Sequence, residues 1–227
     1  MKIFSENKIN KYTAYDCPRL VVSHPLPFSA QMRRFSISGI PTLPTMELTY
    51  DLKIKSEELV MLDDKIISFH NFARIRSFCL VDCPNLVSLS TEGLNQCTVL
   101  EKLHIKNCPN LIIPSSFVVP SLQFISIQAC GISGHCLTEM LSHVQSLHSL
   151  ELHEIPQLKF VSFSRQAAEK EGMSSLEATA ARPLARDDEQ LLEIPSNIIH
   201  SLRWLDISNC PTGVCCRGES TPRIHLS

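Results

Sequence analysis

The sequence predicts an α/β solenoid of about eight irregular repeats, with a parallel inner β-sheet and an outer arc of loops and short helices. Three observations support this prediction. A twelve-residue template recurs along the chain, its apolar positions alternate as in a short strand, and most copies follow one another at intervals of 17 to 26 residues. A unit of one strand and one return segment cannot bury its apolar face alone, so such units must stack.

The template is clearest in two segments that align without a gap. Residues 75–86 read IRSFCLVDCPNL and residues 100–111 read LEKLHIKNCPNL, which gives apolar-x-x-apolar-x-apolar-x-x-Cys-Pro-x-Leu. The Cys position serves as the anchor of each repeat. The eight predicted anchors are Cys17, Ile40, Glu57, Cys83, Cys108, Cys130, Ile155 and Cys210. The third copy is the weakest, because Thr49 and Glu57 occupy apolar positions of the template.

Each repeat is predicted to contain a short strand, a turn and an outer return. In Leu103-His104-Ile105 the apolar residues alternate, so both point to one face of a strand and His104 points to the other. Proline follows most anchors and ends the strand, because it has no N–H for the sheet. The anchor side chain then lies in the core, where a cysteine is a compact apolar group rather than a metal or redox residue.

The anchor spacing divides the chain into segments. Most spacings lie within the period of leucine-rich repeats, about 20 to 29 residues, but the last two anchors are 55 residues apart. Residues 164–190 carry ten charged residues and six alanines, too little apolar surface to offset the entropy of ordering. An unrecognised degenerate repeat is the alternative for this segment. We predict about seven leucine-rich repeats at 1–163, a disordered charged insertion at 164–190, the last repeat at 191–213 and a C-terminal tail at 214–227.

Composition and charge exclude several classes of function. The formal net charge is -2, which indicates neither a nucleic-acid partner nor a membrane surface. Residues 1–10 lack the apolar core of a signal peptide, and no stretch approaches the roughly 20 apolar residues of a membrane span. The chain has 10 cysteines but no Asn-x-Ser/Thr sequon. We therefore predict a reduced, cytoplasmic protein.

Catalytic and metal sites are not indicated. The histidines of the predicted sheet lie on strands of different repeats, without a serine or cysteine at a recognisable motif or an acid placed to orient them. The cysteine pairs lack the Cys-x2-Cys spacing of a zinc site. The prediction is a protein that is not an enzyme and has no cofactor and no metal.

The inner face of the predicted sheet is the candidate protein-binding surface. It is basic in the first five repeats and acidic in the last three, which would orient a dipolar protein partner. Exposed tryptophan is enriched at interface hot spots, and Trp204 is the only tryptophan. The alternatives are a scatter of solvated charges and a Trp204 that packs against the insertion or the tail. The candidate binding residues are Arg34, Lys53, Lys102, His104, Phe124, Glu151, His153, Trp204 and Asp206.

Two units, LEKLHIKNCPNL and LRWLDISNCP, show a family resemblance. Their Cys-Pro anchors and irregular spacing resemble the C-terminal leucine-rich repeat region of plant nucleotide-binding leucine-rich-repeat disease resistance proteins. The resemblance implies a recognition and autoinhibition module of an intracellular immune receptor. Its partner would be a pathogen effector, a guarded host protein or the receptor's own switch domain.

One departure from that family limits what can be carried over. None of the glycines lies in the Gly-x4-Gly-Lys-Ser/Thr pattern of a phosphate-binding loop, so nucleotide binding is not expected of this chain. The first repeat begins at Ile9, with too few preceding residues for a solenoid cap, which favours a fragment or an obligate partner. The alternatives are a stand-alone adaptor resembling a ubiquitin-ligase substrate receptor, or a truncated receptor remnant.

Overall fold

The structure of the protein is a computed structural model. It describes residues 11–16, 34–40, 45–48, 51–63, 66–67, 74–114, 116–164, 190–211, 213–214 and 223–226. Among these residues, no helix is long and apolar enough to cross a membrane.

A ten-stranded sheet forms one side of the molecule, and seven of its nine strand pairs are parallel. In spatial order its strands are β1 (Lys11–Tyr15), β2 (Arg34–Ser38), β3 (Thr45–Leu48), β4 (Asp51–Lys55), β6 (Ser77–Val81), β8 (Lys102–Cys108), β9 (Phe124–Cys130), β10 (Ser149–His153), β13 (Trp204–Ser208) and β15 (Arg223–Leu226). From β4 onward the strands of this sheet are parallel and follow one another in sequence order. The prediction of a parallel-strand solenoid is therefore confirmed.

The strand register agrees with the alignment of the template. Leu103 of β8 lies beside Phe78 of β6 and Ile125 of β9, and each occupies the position five residues before its anchor. The anchors Cys108 and Cys130 are themselves register partners. The side chains of Leu103, Phe78 and Ile125 are fully buried. A shift of one residue would turn every core side chain to solvent, so the apolar alternation fixes this register.

The sheet is not parallel throughout, and this corrects the prediction for the third repeat. Strand β3 lies between β2 and β4 and is antiparallel to both. The physical reason is the length of the two connections, since six residues (39–44) join β2 to β3 and two residues (49–50) join β3 to β4. Connections this short join antiparallel strands, whereas a parallel crossover needs about a dozen residues or more. The predicted anchor Glu57 is also wrong as a core residue, because its side chain is exposed.

A residue with a left-handed backbone lies directly before the anchor in most repeats. Its φ is 52° at Asp82, 55° at Asn107, 52° at Ala129 and 54° at Glu154. Asp and Asn tolerate this conformation better than Ala or Glu, which are strained there. At the equivalent position Gly39 has φ 66°, and a Cβ there would collide with the Asp16 carboxylate.

The anchor cysteines are held by a repeated thiol hydrogen bond. The Sγ of Cys83, Cys108 and Cys130 donates to the carbonyl two residues earlier, at 3.5, 3.4 and 3.1 Å. All three side chains are buried. The neighbouring Cys130 thiol and burial raise the pKa of Cys108 to about 12. A buried thiol of high pKa is a structural group, because the nucleophile and metal ligand is the thiolate.

Where the structure describes the return segments, they contain two small sheets and three short helices. The strands are β5 (Met61–Leu62), β7 (Ser88–Leu89), β11 (Phe160–Phe163), β12 (Leu191–Ile194) and β14 (Gly213–Val214), and the helices are α1 (Glu92–Asn95), α2 (Gly134–Ser142) and α3 (Ser196–Ile199). Helix α2 begins after Ser133, whose hydroxyl caps the Cys136 N–H. It packs against β12, and the close approach requires Gly134, since a Cβ there would lie 2.5 Å from the Leu191 backbone.

The predicted insertion and tail flank these small sheets. Strands β11 and β12 are parallel, and the Ser164 N–H bonds the Ile194 carbonyl at 3.0 Å. The residues between Ser164 and Gln190 lie outside the described residues, and so does the prediction of disorder for them. Within the predicted tail, β15 adds a further parallel strand beside β13, which the sequence analysis did not anticipate.

Candidate protein-binding face

The exposed side of the ten-stranded sheet, here called the open face, carries the side chains that alternate with the core residues. Burial alternates along β4 and β10, for example, where Lys53 is exposed between the buried Leu52 and Ile54. Parallel register places equivalent positions of successive repeats side by side. The open face therefore consists of three rows that run across the strands, six, four and two residues before the anchors.

All nine predicted binding residues lie on the open face. The first row contains Arg34, Lys102, Phe124 and Trp204; the second contains Lys53, His104, Glu151 and Asp206; and the third contains His153. Lys102 and Phe124 are register neighbours, as are Glu151 and Asp206. Arg34 on β2 is separated by β3 from Lys53 on β4, and by further strands from the other candidates, so it is not part of their cluster.

The basic part of the face lies on β4 and β8, and Arg76 directly precedes the uncharged β6 between them. Lys55 forms an ion pair with Asp82 at 2.8 Å, and Arg76 forms one with Glu101 at 2.8 Å. The hydrogen bond from Lys55, together with one from Asn107 at 2.6 Å, lowers the pKa of Asp82. These pairs neutralise part of the predicted positive charge. The exposed Lys53 and Lys102 form no hydrogen bond or ion pair within the described residues. The basic character therefore rests on fewer side chains than the sequence suggested.

Strand β9 is uncharged and separates the basic part from the acidic part. Its Phe124 ring contacts the His104 ring, with centroids 5.0 Å apart and planes inclined by 39°. Burial lowers the pKa of His104 below its ordinary value of 6.5, with Lys102 acting in the same direction and Glu151 opposing both. His104 is therefore neutral near pH 7 and extends the aromatic surface of Phe124.

The acidic part lies on β10 and β13. Glu151 and Asp206 are adjacent in register and partly exposed. The described residues provide neither carboxylate with a hydrogen bond or ion pair. Trp204 is 38% exposed in the row beside them, and its register neighbours are Ser149 on β10 and Arg223 on β15. The charge asymmetry predicted from the sequence is thus present on the described part of the face.

His153 contacts a residue that the sequence analysis missed. Its Nδ1 hydrogen-bonds the Ser208 hydroxyl on the adjacent strand. A hydrolytic triad needs a third group that orients the imidazole, and no described carboxylate bonds this ring.

The Nδ1 of His148 is buried without a hydrogen-bond partner among the described residues. The described residues also contain no group of three or more His, Cys, Asp or Glu that could hold a metal ion.

Small residues between the large ones are the second feature missed by sequence reasoning. Ser126 lies between His104 and Glu151, and Ser149 lies between Phe124 and Trp204. The signal was available, because the anchor alignment already placed both serines in the rows. A serine side chain is shorter than the large side chains on either side of it, so it leaves room above the backbone for a group of a partner.

The comparisons with known proteins add no identification. No family model, no curated protein and no solved structure matches the chain.

Proposed function

We propose that the chain is a protein-recognition module of the leucine-rich repeat type, with about eight repeats, and that its open face binds a protein partner. One observation carries the proposal: Phe124, Trp204, Glu151 and Asp206 are all partly exposed on one regular sheet face. Exposed aromatic groups are enriched at protein interfaces relative to the rest of the surface. The two carboxylates beside them give this part of the face a charge that a basic partner can complement.

The resemblance of the repeats supports a more specific proposal. As a part of an intracellular plant immune receptor, the module would bind a pathogen effector, a guarded host protein or the receptor's own switch domain. The cysteines among the described residues are all free thiols, which fits a reducing compartment such as the cytoplasm.

Photo-cross-linking tests the binding face directly. A benzoylphenylalanine at Ser126 samples the second row, and the same residue at the exposed Thr98 of the outer arc is the matched control. We expect a cross-linked protein in cells of the source organism with the Ser126 variant and not with the Thr98 variant. Equal cross-linking from both positions would show that the open face is not the binding surface.

Defence signalling tests the immune role. Trp204→Ala and Glu151→Lys change exposed or partly exposed side chains of the open face, so both variants should keep the circular dichroism spectrum of the wild type. We expect both to impair partner binding and the defence response. Two correctly folded variants that bind and signal like the wild type would refute the proposal.

A further inference from the structure

Five residues lie together in register on β9, β10 and β13, and we call this cluster the notch: Phe124, Ser149, Trp204, Glu151 and Asp206. In the first row Ser149 separates Phe124 from Trp204. In the second row Glu151 and Asp206 are adjacent, one step further along the same strands. The register thus places an aromatic residue on each side of Ser149 and two carboxylates in the next row.

We propose that this notch binds an arginine side chain of the partner protein. Neighbouring strands are about 4.8 Å apart, so the backbones that carry the two rings are separated by about 10 Å. A cation midway between two rings that stand above these backbones would lie about 5 Å from each, within the roughly 6 Å of a cation–π interaction. The inference rests on the proposed function, because it specifies which chemical group the open face recognises.

The carboxylates favour arginine over other occupants. Along a strand, positions two residues apart are separated by about 7 Å, so a guanidinium over Ser149 lies within reach of the flexible Glu151 side chain. Arginine combines a planar surface that stacks on aromatic rings with a fork that bonds a carboxylate at two points. Lysine lacks the plane and the fork, and a neutral side chain lacks the attraction to Glu151 and Asp206.

The basic part of the face explains why a cation would bind at the notch and not elsewhere on the sheet. Lys53 and Lys102 are exposed on β4 and β8, so they repel a cation from that part of the sheet. The arginine is directed to β10 and β13, where the carboxylates lie. A partner segment that carries an acidic residue on the β4–β8 side of its arginine would satisfy both parts of the face.

Trp204 provides a reporter for the test, because it is the only tryptophan of the chain. Its indole N–H gives one side-chain resonance of this type in a ¹H–¹⁵N spectrum, and this resonance can be followed during titration with N-acetyl-argininamide. The isosteric neutral N-acetyl-citrullinamide and the cation N-acetyl-lysinamide are the comparison probes. We expect saturable shifts with a dissociation constant in the millimolar range for arginine, weaker binding for lysine and no saturation for citrulline.

Variants assign the response to the notch. Glu151→Gln removes a carboxylate and Phe124→Ala removes one aromatic ring, and each should weaken arginine binding about two- to five-fold. The control is Glu92→Gln, which removes an exposed carboxylate of helix α1 and should leave the affinity unchanged. If the chemical shift of the indole N–H does not change with N-acetyl-argininamide, or changes equally with N-acetyl-citrullinamide, the proposal is overturned. If Ser126 cross-linking succeeds in that case, only the arginine assignment fails; if both fail, the binding face fails as well.

Discussion

The assignment of the two sheet faces can be tested at adjacent residues of β8. Leu103 is fully buried, whereas Lys102 is exposed on the open face. Leu→Ala in a packed core costs about 3 to 5 kcal/mol, from lost burial and the remaining cavity. An exposed surface substitution such as Lys102→Ala changes the free energy of unfolding by about 0.5 kcal/mol or less.

Urea denaturation followed by circular dichroism measures the difference. With an m-value of about 3 kcal/mol/M, at the upper end for small proteins, Leu103→Ala should lower the unfolding midpoint by about 1 to 1.7 M. Lys102→Ala should change it by less than about 0.2 M. Because repeats contact mainly their neighbours, hydrogen exchange should accelerate first in β6, β8 and β9. Equal shifts for the two variants, or a larger shift for Lys102→Ala, would show that the register is wrong by one residue.

Three further predictions follow from the described residues. Burial lowers the pKa of His104, so the wild type should lose stability as the pH falls below 6.5 and through that lowered pKa, whereas His104→Gln should not. A urea midpoint that changes by the same amount between pH 7 and pH 5 in both proteins would contradict this. Ala129→Gly should raise the free energy of unfolding by about 1 kcal/mol by relieving the left-handed backbone, while Gly39→Ala should lower it, and thermal unfolding that ranks them in the opposite order would exclude the strain argument. A thiol reagent at pH 8 should label the half-buried Cys79 before the buried Cys108; mass spectrometry that finds Cys108 modified first in the folded protein would argue against the buried anchor.

The sequence predicts the parts of the fold that depend on apolar periodicity. The strand positions around Leu103, Ile125 and Leu150 follow from alternation and from the anchor template, because each is one of many equivalent core positions. Strand β3 was not predicted, because its reversal depends on the length of the link between β2 and β4 rather than on a pattern. Strand β15 was missed as well, since its pairing with β13 depends on tertiary contacts and not on the repeat template.

The candidate site was predictable by row and not by interaction. Alignment to the anchors places Phe124 and Trp204 in one row and Glu151 and Asp206 in the next, as the structure has them. The contact between the Phe124 and His104 rings depends on rotamers, which a sequence pattern does not specify. The ion pairs that neutralise part of the basic charge depend on rotamers in the same way.

The pairing of β11 with β12 makes the link between them a natural position for a reporter domain. The two strands are parallel to each other, and backbone hydrogen bonds join them directly, so their pairing does not require contacts with the residues between them. The end of β11 and the start of β12 are about 11 Å apart, from three residue steps along the strands and one strand spacing. Each doubling of a flexible loop costs only about 0.6 kcal/mol. A fluorescent protein joined through flexible linkers at this point would label the chain without interrupting a described strand.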